Sequence, residues 1–141
     1  MSAKNRFVSI VDDELDITVL FREVLQAIEG ISIFTFTDSI LAIEHFTTNK
    51  TDYVLVISDL KMQGLNGMDL LKKVKKVNPS VRTILMTAFE IEDKLLQQYF
   101  KDKNINAFLK KPIEIKDLLL EVDKQLDTYD MQKQRSFIKI K

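Results

Sequence analysis

No cysteine occurs among the 141 residues. That excludes a disulfide framework and any zinc site built on thiolates. His45 is the only histidine, so a histidine metal cluster and an internal relay between histidines are both excluded. It falls in a helical stretch away from the polar strand ends considered below, where it serves packing or the surface. Charge of one sign is also missing: 21 basic and 21 acidic side chains give a formal net charge of +0. No global field therefore draws the chain toward nucleic acid or a membrane. The amino terminus, MSAKNRFVSIVDD, reaches two aspartates after a short apolar run. It reads as neither a signal peptide nor a membrane span, which points to a cytoplasmic setting. Internal repeats, low-complexity tracts and interior linkers are absent as well. What is present is enough apolar material, 45% of residues, for one domain with a real core.

Strand and helix patterns alternate along the chain. Phe7 to Val11 predicts a first strand, and Asp12-Asp13 follow it. Ile17, Leu20, Phe21, Val24, Leu25 and Ile28 form a helical stripe that Gly30 stops. Ile31 to Phe36 alternates as a second strand near an edge. Asp38 or Ser39 then caps a helix carrying Ile40, Leu41, Ile43 and Phe46. Val54 to Ile57 is a β-branched run without a polar face, as in a strand buried on both sides. Ser58-Asp59 and a loop with Gly64 and Gly67 lead to a helix with Leu70, Leu71, Val74 and Val77 inward. Lys72, Lys73, Lys75 and Lys76 lie outward on it, and Asn78-Pro79 ends it.

Val81 to Met86 is a fourth strand with Thr87 at its end, followed by a weakly patterned fourth helix over Ile91 to Phe100. Ile105 to Leu109 is a fifth strand ending at Lys110-Lys111-Pro112. A final helix carries Ile115, Leu118, Leu119, Val122 and Leu126. Its stripe continues to Tyr129, where Lys133 interrupts it and argues against a long coiled coil. Five such alternations predict an α/β domain, a parallel sheet covered on both faces with right-handed crossovers. Residues 1–127 make up the domain, and residues 128–141 extend the last helix or form a linker or tail.

Polar residues that a core strand does not need stand at strand ends: Asp12 and Asp13, Asp59, Thr87 and Lys111. In a parallel sheet those ends share one edge, where open α/β sheets place their ligand crevice. Three carboxylates gathered there repel one another and call for a cation. All-oxygen ligands select a hard ion such as magnesium. A lysine supplies a point charge for phosphate and a threonine a hydroxyl donor, so the set suits a phosphoryl group held on one carboxylate. Taken singly, the Asp12-Asp13-Glu14 run reads equally well as helix-start decoration, Asp59 as the start of a turn, Thr87 as an ordinary strand residue and Lys111 as solvated surface.

The chain from Phe7 to Leu126 resembles the receiver domain of two-component response regulators, the CheY-like family. The residues that carry the likeness are Val11-Asp12-Asp13-Glu14, Ser58-Asp59-Leu60-Lys61-Met62 with Gly67, Met86-Thr87-Ala88 and Phe108-Leu109-Lys110-Lys111-Pro112. The resemblance implies a flavodoxin-like (βα)5 three-layer sandwich with strand order 2-1-3-4-5. It implies that Asp59 accepts a phosphoryl group from a sensor histidine kinase or phosphotransfer protein. Asp12, Asp13, Asp59 and the backbone carbonyl of Lys61 would hold Mg2+. Lys111 would contact the phosphoryl oxygens across a cis Lys111–Pro112 peptide, and Thr87 would move to hydrogen-bond them. Phe108 would swing with Thr87, and the face of the fourth helix, fifth strand and fifth helix would report the state and support a homodimer. Lys61 and Phe89 would modulate loss of the phosphoryl group. Such a domain is a switch rather than an enzyme, with weak self-phosphorylation and autodephosphorylation, and it binds neither nucleic acid nor membrane directly.

Four positions depart from the family pattern. Gln63 stands where a proline is usual, Phe108 replaces the commoner tyrosine, and a cation (Lys61) and a large ring (Phe89) occupy the modulating positions. Other functions are weaker fits. An aspartyl-phosphate hydrolase of the haloacid-dehalogenase type carries Asp-x-Asp after its first strand, where this chain has Asp12-Asp13-Glu14-Leu15, and no cap insertion is present. A phosphorylation-independent interaction module would not need Asp59, Thr87 and Lys111 intact. Flavin mononucleotide binding lacks its Ser/Thr/Gly-rich loop after the first strand.

Overall fold

The computed structural model describes residues 5–88, 94, 97–98 and 101–140, with side chains as far as residue 136. Strands β1 (Phe7–Val11), β2 (Ser32–Phe36), β3 (Tyr53–Asp59), β4 (Arg82–Thr87) and β5 (Ala107–Lys110) are joined in one parallel sheet. Their order is β2-β1-β3-β4-β5, the flavodoxin-like arrangement. The described helices are α1 (Leu15–Leu25), α2 (Ser39–Thr48), α3 (Gly67–Val77) and α4 (Ile115–Ile140). Of the expected helix over residues 91–100, only Lys94, Gln97 and Gln98 are among the described residues.

Every residue of β3 is buried, as its unbroken apolar run requires of a central strand covered on both faces. One face packs Ile10, Leu55, Ile57, Ile84 and Met86 against Phe21 and Leu25 of α1 and Leu118, Val122 and Leu126 of α4. The other packs Val56 and Leu85 against Phe46 of α2 and Leu71 and Val74 of α3. The β1–β3 register shifts between Phe7 and Val8, so Val54 is the extra residue of a bulge. At the start of β4, Thr83 accepts and donates within a small network with Asn104 and Asn106. These bonds set the entry into β5.

Several helical stripes are narrower than their spacing suggests. Leu20, Ile40, Leu41, Val77 and Ile115 are exposed. In α1 the buried line runs through Thr18, Phe21 and Leu25, which rotates Leu20 to the flank. In α2 it runs through Ser39, Ala42 and Phe46, leaving Ile40 and Leu41 outside. Asp38 is the cap of α2, accepting from the Ile40 N–H at 2.8 Å. Lys75 does not point freely outward with its neighbours on α3; it is half-buried. Helix α4 continues to Ile140, well beyond the last buried leucine, Leu126. Arg6 grips it through Asp130 at 2.6 and 3.3 Å.

His45 has a structural place. Its Nδ1 lies 2.6 Å from the Tyr53 hydroxyl, and its ring meets Phe7, Phe34 and Phe36. Desolvation by burial holds this imidazole below its ordinary pKa. The neutral ring therefore favours the folded chain, and stability is lost as pH falls below the unfolded histidine value. Replacing it, as in His45→Asn, should cost stability at pH 7.5, and that deficit should narrow by pH 5.5. Thermal melts of the two proteins across this range check it; a constant gap would show that the ring takes up its proton freely.

Candidate functional site

The parallel register decides what meets at the carboxyl edge of the sheet. Val11 pairs with Ser58, Asp59 with Met86, and Thr87 with Lys110. Asp12, Asp59, Thr87 and Lys111 therefore end four neighbouring strands side by side. The edge is held by backbone bonds that continue the ladder: Leu60 N–H to the Met86 carbonyl at 2.9 Å and Lys111 N–H to the Thr87 carbonyl at 2.8 Å. The chain leaves β1 toward β2 on one side and takes up β3 on the other. This is the reversal point at which open α/β sheets form a crevice. A pocket of about 330 Å3 opens there, lined by Asp13, Glu14, Asp59, Lys61, Thr87 and Lys111 among others.

Two carboxylates share one ammonium. Lys111 Nζ lies 3.0 Å from Asp12 Oδ2 and 3.2 Å from Asp59 Oδ1. Asp12 is fully buried and its other oxygen accepts from the Glu14 N–H at 2.9 Å. Asp59 is 7% exposed and Oδ1 also accepts from the Leu60 N–H at 3.0 Å. Burial pushes the Asp59 carboxyl above its ordinary pKa, and the charge of Asp12 adds to this, while Lys111 opposes both. Burial alone would lower Lys111, but the hydrogen bond to Asp12 and the charges of Asp59 and Asp12 outweigh it and hold the ammonium above its ordinary value. Asp13 is exposed, on the open side of the pocket. The reading of this acidic run as a helix cap does not hold for Asp13: the N-cap of α1 is Glu14, with no side-chain cap bond.

Asp12, Asp13 and Asp59 each present a carboxylate oxygen within 4.8 Å of the others. The donors are all hard oxygens, and the pocket beside them is open to water, so the set fits a magnesium-sized ion that keeps part of its hydration. Such an ion would supply positive charge against developing negative charge on phosphoryl oxygens.

The turn after Asp59 is fixed by two glycines and a serine. Gly64 has φ +79°, a conformation that favours glycine. A Cβ on Gly67 would stand 2.1 Å from the Asp59 carbonyl oxygen and 2.9 Å from a methyl of Leu85. The start of α3 thus presses directly on the backbone of the buried carboxylate. Ser39 clamps the loop from α2: its hydroxyl accepts from the Leu65 N–H at 3.0 Å and donates to the Gln63 carbonyl at 3.4 Å. Sequence reading saw Ser39 only as a possible cap, since a serine beside a capping aspartate gives no sign that it reaches another loop.

Of the other expected site residues, Thr87 is buried and lines the pocket, and Lys61 is exposed at its rim. Phe108 is partly buried against the α2/α3 side of the core. The Lys111–Pro112 peptide is cis. Phe89 lies outside the described residues.

The family model for the response regulator receiver domain matches residues 8–123. The chain belongs to this family. Receiver domains are signalling switches of two-component systems. Among relatives, this one is 31% identical over 122 residues to sporulation initiation phosphotransferase F of Bacillus subtilis (strain 168), covering 86% of this chain and 94% of that protein. It is 31% identical over 125 residues to the DNA-binding transcriptional regulator NtrC of Klebsiella pneumoniae. There the match covers 89% of this chain and 26% of the relative, so the receiver spans about a quarter of that regulator. A response regulator receiver domain protein from Clostridium thermocellum superposes with a TM-score of 0.79 at 25% identity, covering 90% of this chain and 98% of the other. No described helix of the receiver is long and apolar enough to cross a membrane.

Because Gly67 touches the Asp59 carbonyl, Gly67→Ala should shift that strand end and cost about 1–3 kcal/mol, the usual range for overpacking. Denaturant melts measure the loss. A variant as stable as the parent would show that the α3 start moves aside without cost.

Proposed function

We propose that this receiver takes a phosphoryl group onto Asp59 from a phosphohistidine of a sensor kinase or phosphotransfer protein, in a magnesium-dependent reaction. A carboxylate oxygen of Asp59 attacks phosphorus, the P–N bond breaks, and the imidazole leaves and regains a proton from solvent. The observation that carries this reading is the placement of Asp59: nearly buried, between Asp12 and Lys111, with Lys111 Nζ 3.2 Å away. Asp12, Asp13, Asp59 and the Lys61 carbonyl hold the ion. Lys111 leaves its carboxylate partners to bind phosphoryl oxygens as negative charge arrives there. Thr87 supplies a hydroxyl to the same oxygens, and Phe108 repacks as Thr87 moves. Lys61 and Phe89 control the approach of water and so the slow hydrolysis that resets the switch.

Two surfaces serve this role. An apolar cleft of about 380 Å3, lined by Ile17, Leu20, Phe21, Pro112 and Ile113, shares Glu14, Ala88 and Lys111 with the acidic pocket. A protein that delivers a phosphohistidine to Asp59 must cover it, and exposed Leu15, Val19 and Leu20 extend its apolar area. The face of β5 and α4, where Leu120 is 66% exposed, together with the fourth helix expected from the sequence, reports the phosphorylated state and supports a homodimer. The balanced charge of the chain gives the domain no direct role in nucleic-acid binding, and its place of action is the cytoplasm.

Incubation with acetyl phosphate and magnesium should add one phosphoryl group by intact-mass spectrometry, and Asp59→Asn should abolish it. Persistent labelling of that variant would overturn the assignment.

Magnesium at about ten times its dissociation constant should stabilise the parent by roughly 1.4 kcal/mol, because the unfolded chain lacks the site. Asp59→Asn should melt higher than the parent without metal, since like charges a few ångströms apart cost on the order of 1 kcal/mol near a protein surface. It should also lose most of the response to magnesium. Melts of both proteins with and without the ion check this; a parent indifferent to magnesium would remove the metal from the reading.

A further inference from the structure

At the end of the sheet away from Asp59, the last turns of α4 and the loop after α3 enclose a groove of about 340 Å3. Pro79 and Ser80 form one wall, and Tyr129, Gln132, Lys133 and Arg135 the other. Two more cations flank it. Arg82, at the start of β4, donates from Nε to Gln125 Oε1 at 2.8 Å and from Nη1 to Gln132 Oε1 at 3.4 Å. Lys75, in the last turn of α3, donates to the Pro79 carbonyl at 3.4 Å. Among the described residues no carboxylate lies within ion-pair distance of Lys75, Arg82, Lys133 or Arg135. Arg6, a cation at the same end, is by contrast fully engaged by Asp130. Glu121 attracts Arg82 from a distance, but its Oε2 accepts from Gln125 Nε2 at 2.9 Å. Lys133 rests over the Tyr129 ring, 5.5 Å from its centroid.

Lys75 and Arg82 are half-buried and Lys133 and Arg135 exposed, and half-buried cations without an ion-paired carboxylate are costly to the fold. Burial and the neighbouring charge of Arg82 push the Lys75 amine down to about 8, and burial lowers Arg82 as well. Stability alone would have placed a carboxylate here, as it has for Arg6. The groove is also small and half-open, on the scale of a small-molecule site rather than of a macromolecular surface. Two guanidinium groups and two ammoniums match the forked and point-charge contacts that tetrahedral oxyanions accept.

We propose that this groove binds a small phosphate group, as free phosphate or as a phosphate monoester, between Lys75 and Arg82 on the domain side and Lys133 and Arg135 on α4. Because the walls belong to different elements, the bound anion fastens the last turns of α4 to the body of the domain. The site is independent of Asp59.

The test is a titration of the isotope-labelled full chain, without magnesium, followed by amide NMR shifts. Inorganic phosphate and ribose 5-phosphate are the probes, each against sodium chloride at matched ionic strength. Saturating shifts at Ser80, Tyr129, Gln132 and Arg135 are expected for at least one phosphate probe and not for chloride. Lys75→Gln and Arg135→Gln should each weaken binding about tenfold, the effect of losing one charge-assisted hydrogen bond, while Asp59→Asn should leave it unchanged. Lys75→Gln should also melt no lower than the parent, so weak binding by that variant would not reflect unfolding. Tighter binding of the monoester assigns the remaining space to its organic part, and equal binding assigns the site to free phosphate. Shifts that chloride reproduces, that fail to saturate with either phosphate probe, or that survive both charge removals would overturn the proposal.

Discussion

Two buried carboxylates, Asp12 and Asp59, are held at one sheet edge by a single ammonium, that of Lys111. The rest of the site depends on this triad. Burial pushes the Asp59 carboxyl above its ordinary pKa, and the neighbouring charge of Asp12 adds to this. Lys111, between the two, opposes both effects, and by formal charge one negative charge remains in excess. Under the proposed function, that excess is the charge a divalent ion in the pocket would offset. Under the same reading, a phosphoryl group on Asp59 would add still more negative charge, and the balance around Lys111 would be redrawn. A small chemical event at one oxygen would thereby become a rearrangement of contacts between β1, β3 and β5.

The sheet makes that triad possible by register rather than by local sequence. Asp59 and Thr87 are the last residues of their strands, and Asp12 and Lys111 immediately follow theirs. A slip of one residue in any strand would turn its polar end residue to the wrong face. The register is protected by buried packing on both faces, by the Thr83–Asn106 bonds at the opposite end, and by Gly67, which lets α3 begin against the Asp59 carbonyl. Stability and chemistry are therefore not separate properties here. The same close approach that locks the third crossover also aims the carboxylate.

Much of this was legible in the residues. The unbroken apolar run from Val54 to Ile57 could only be a central strand, and polar residues at successive strand ends could only converge if the sheet was parallel. The flanks were harder. Leu20, Ile40, Leu41 and Ile115 share helical spacing with buried neighbours, but spacing does not say how wide a stripe the sheet can cover. Lys75 looked like its neighbours Lys72, Lys73 and Lys76, because a lysine pattern on a helix cannot reveal that one of them will turn to the Pro79 carbonyl and sit half-buried beside Arg82. Ser39 was invisible as a loop clamp for the same reason. Its partners, Gln63 and Leu65, are distant in sequence, and no local pattern records the contact.

The bond between Lys111 and Asp12 spans 99 positions of the chain. A contact of that separation forms only after the intervening polypeptide has collapsed into its strands and helices. During synthesis, the carboxylate ends of β1 and β3 emerge well before the lysine that lets them coexist. A nascent or truncated chain ending before β5 has two mutually repelling aspartates and no ammonium. It therefore lacks the assembled triad, which is complete only when nearly the whole domain has been made and folded.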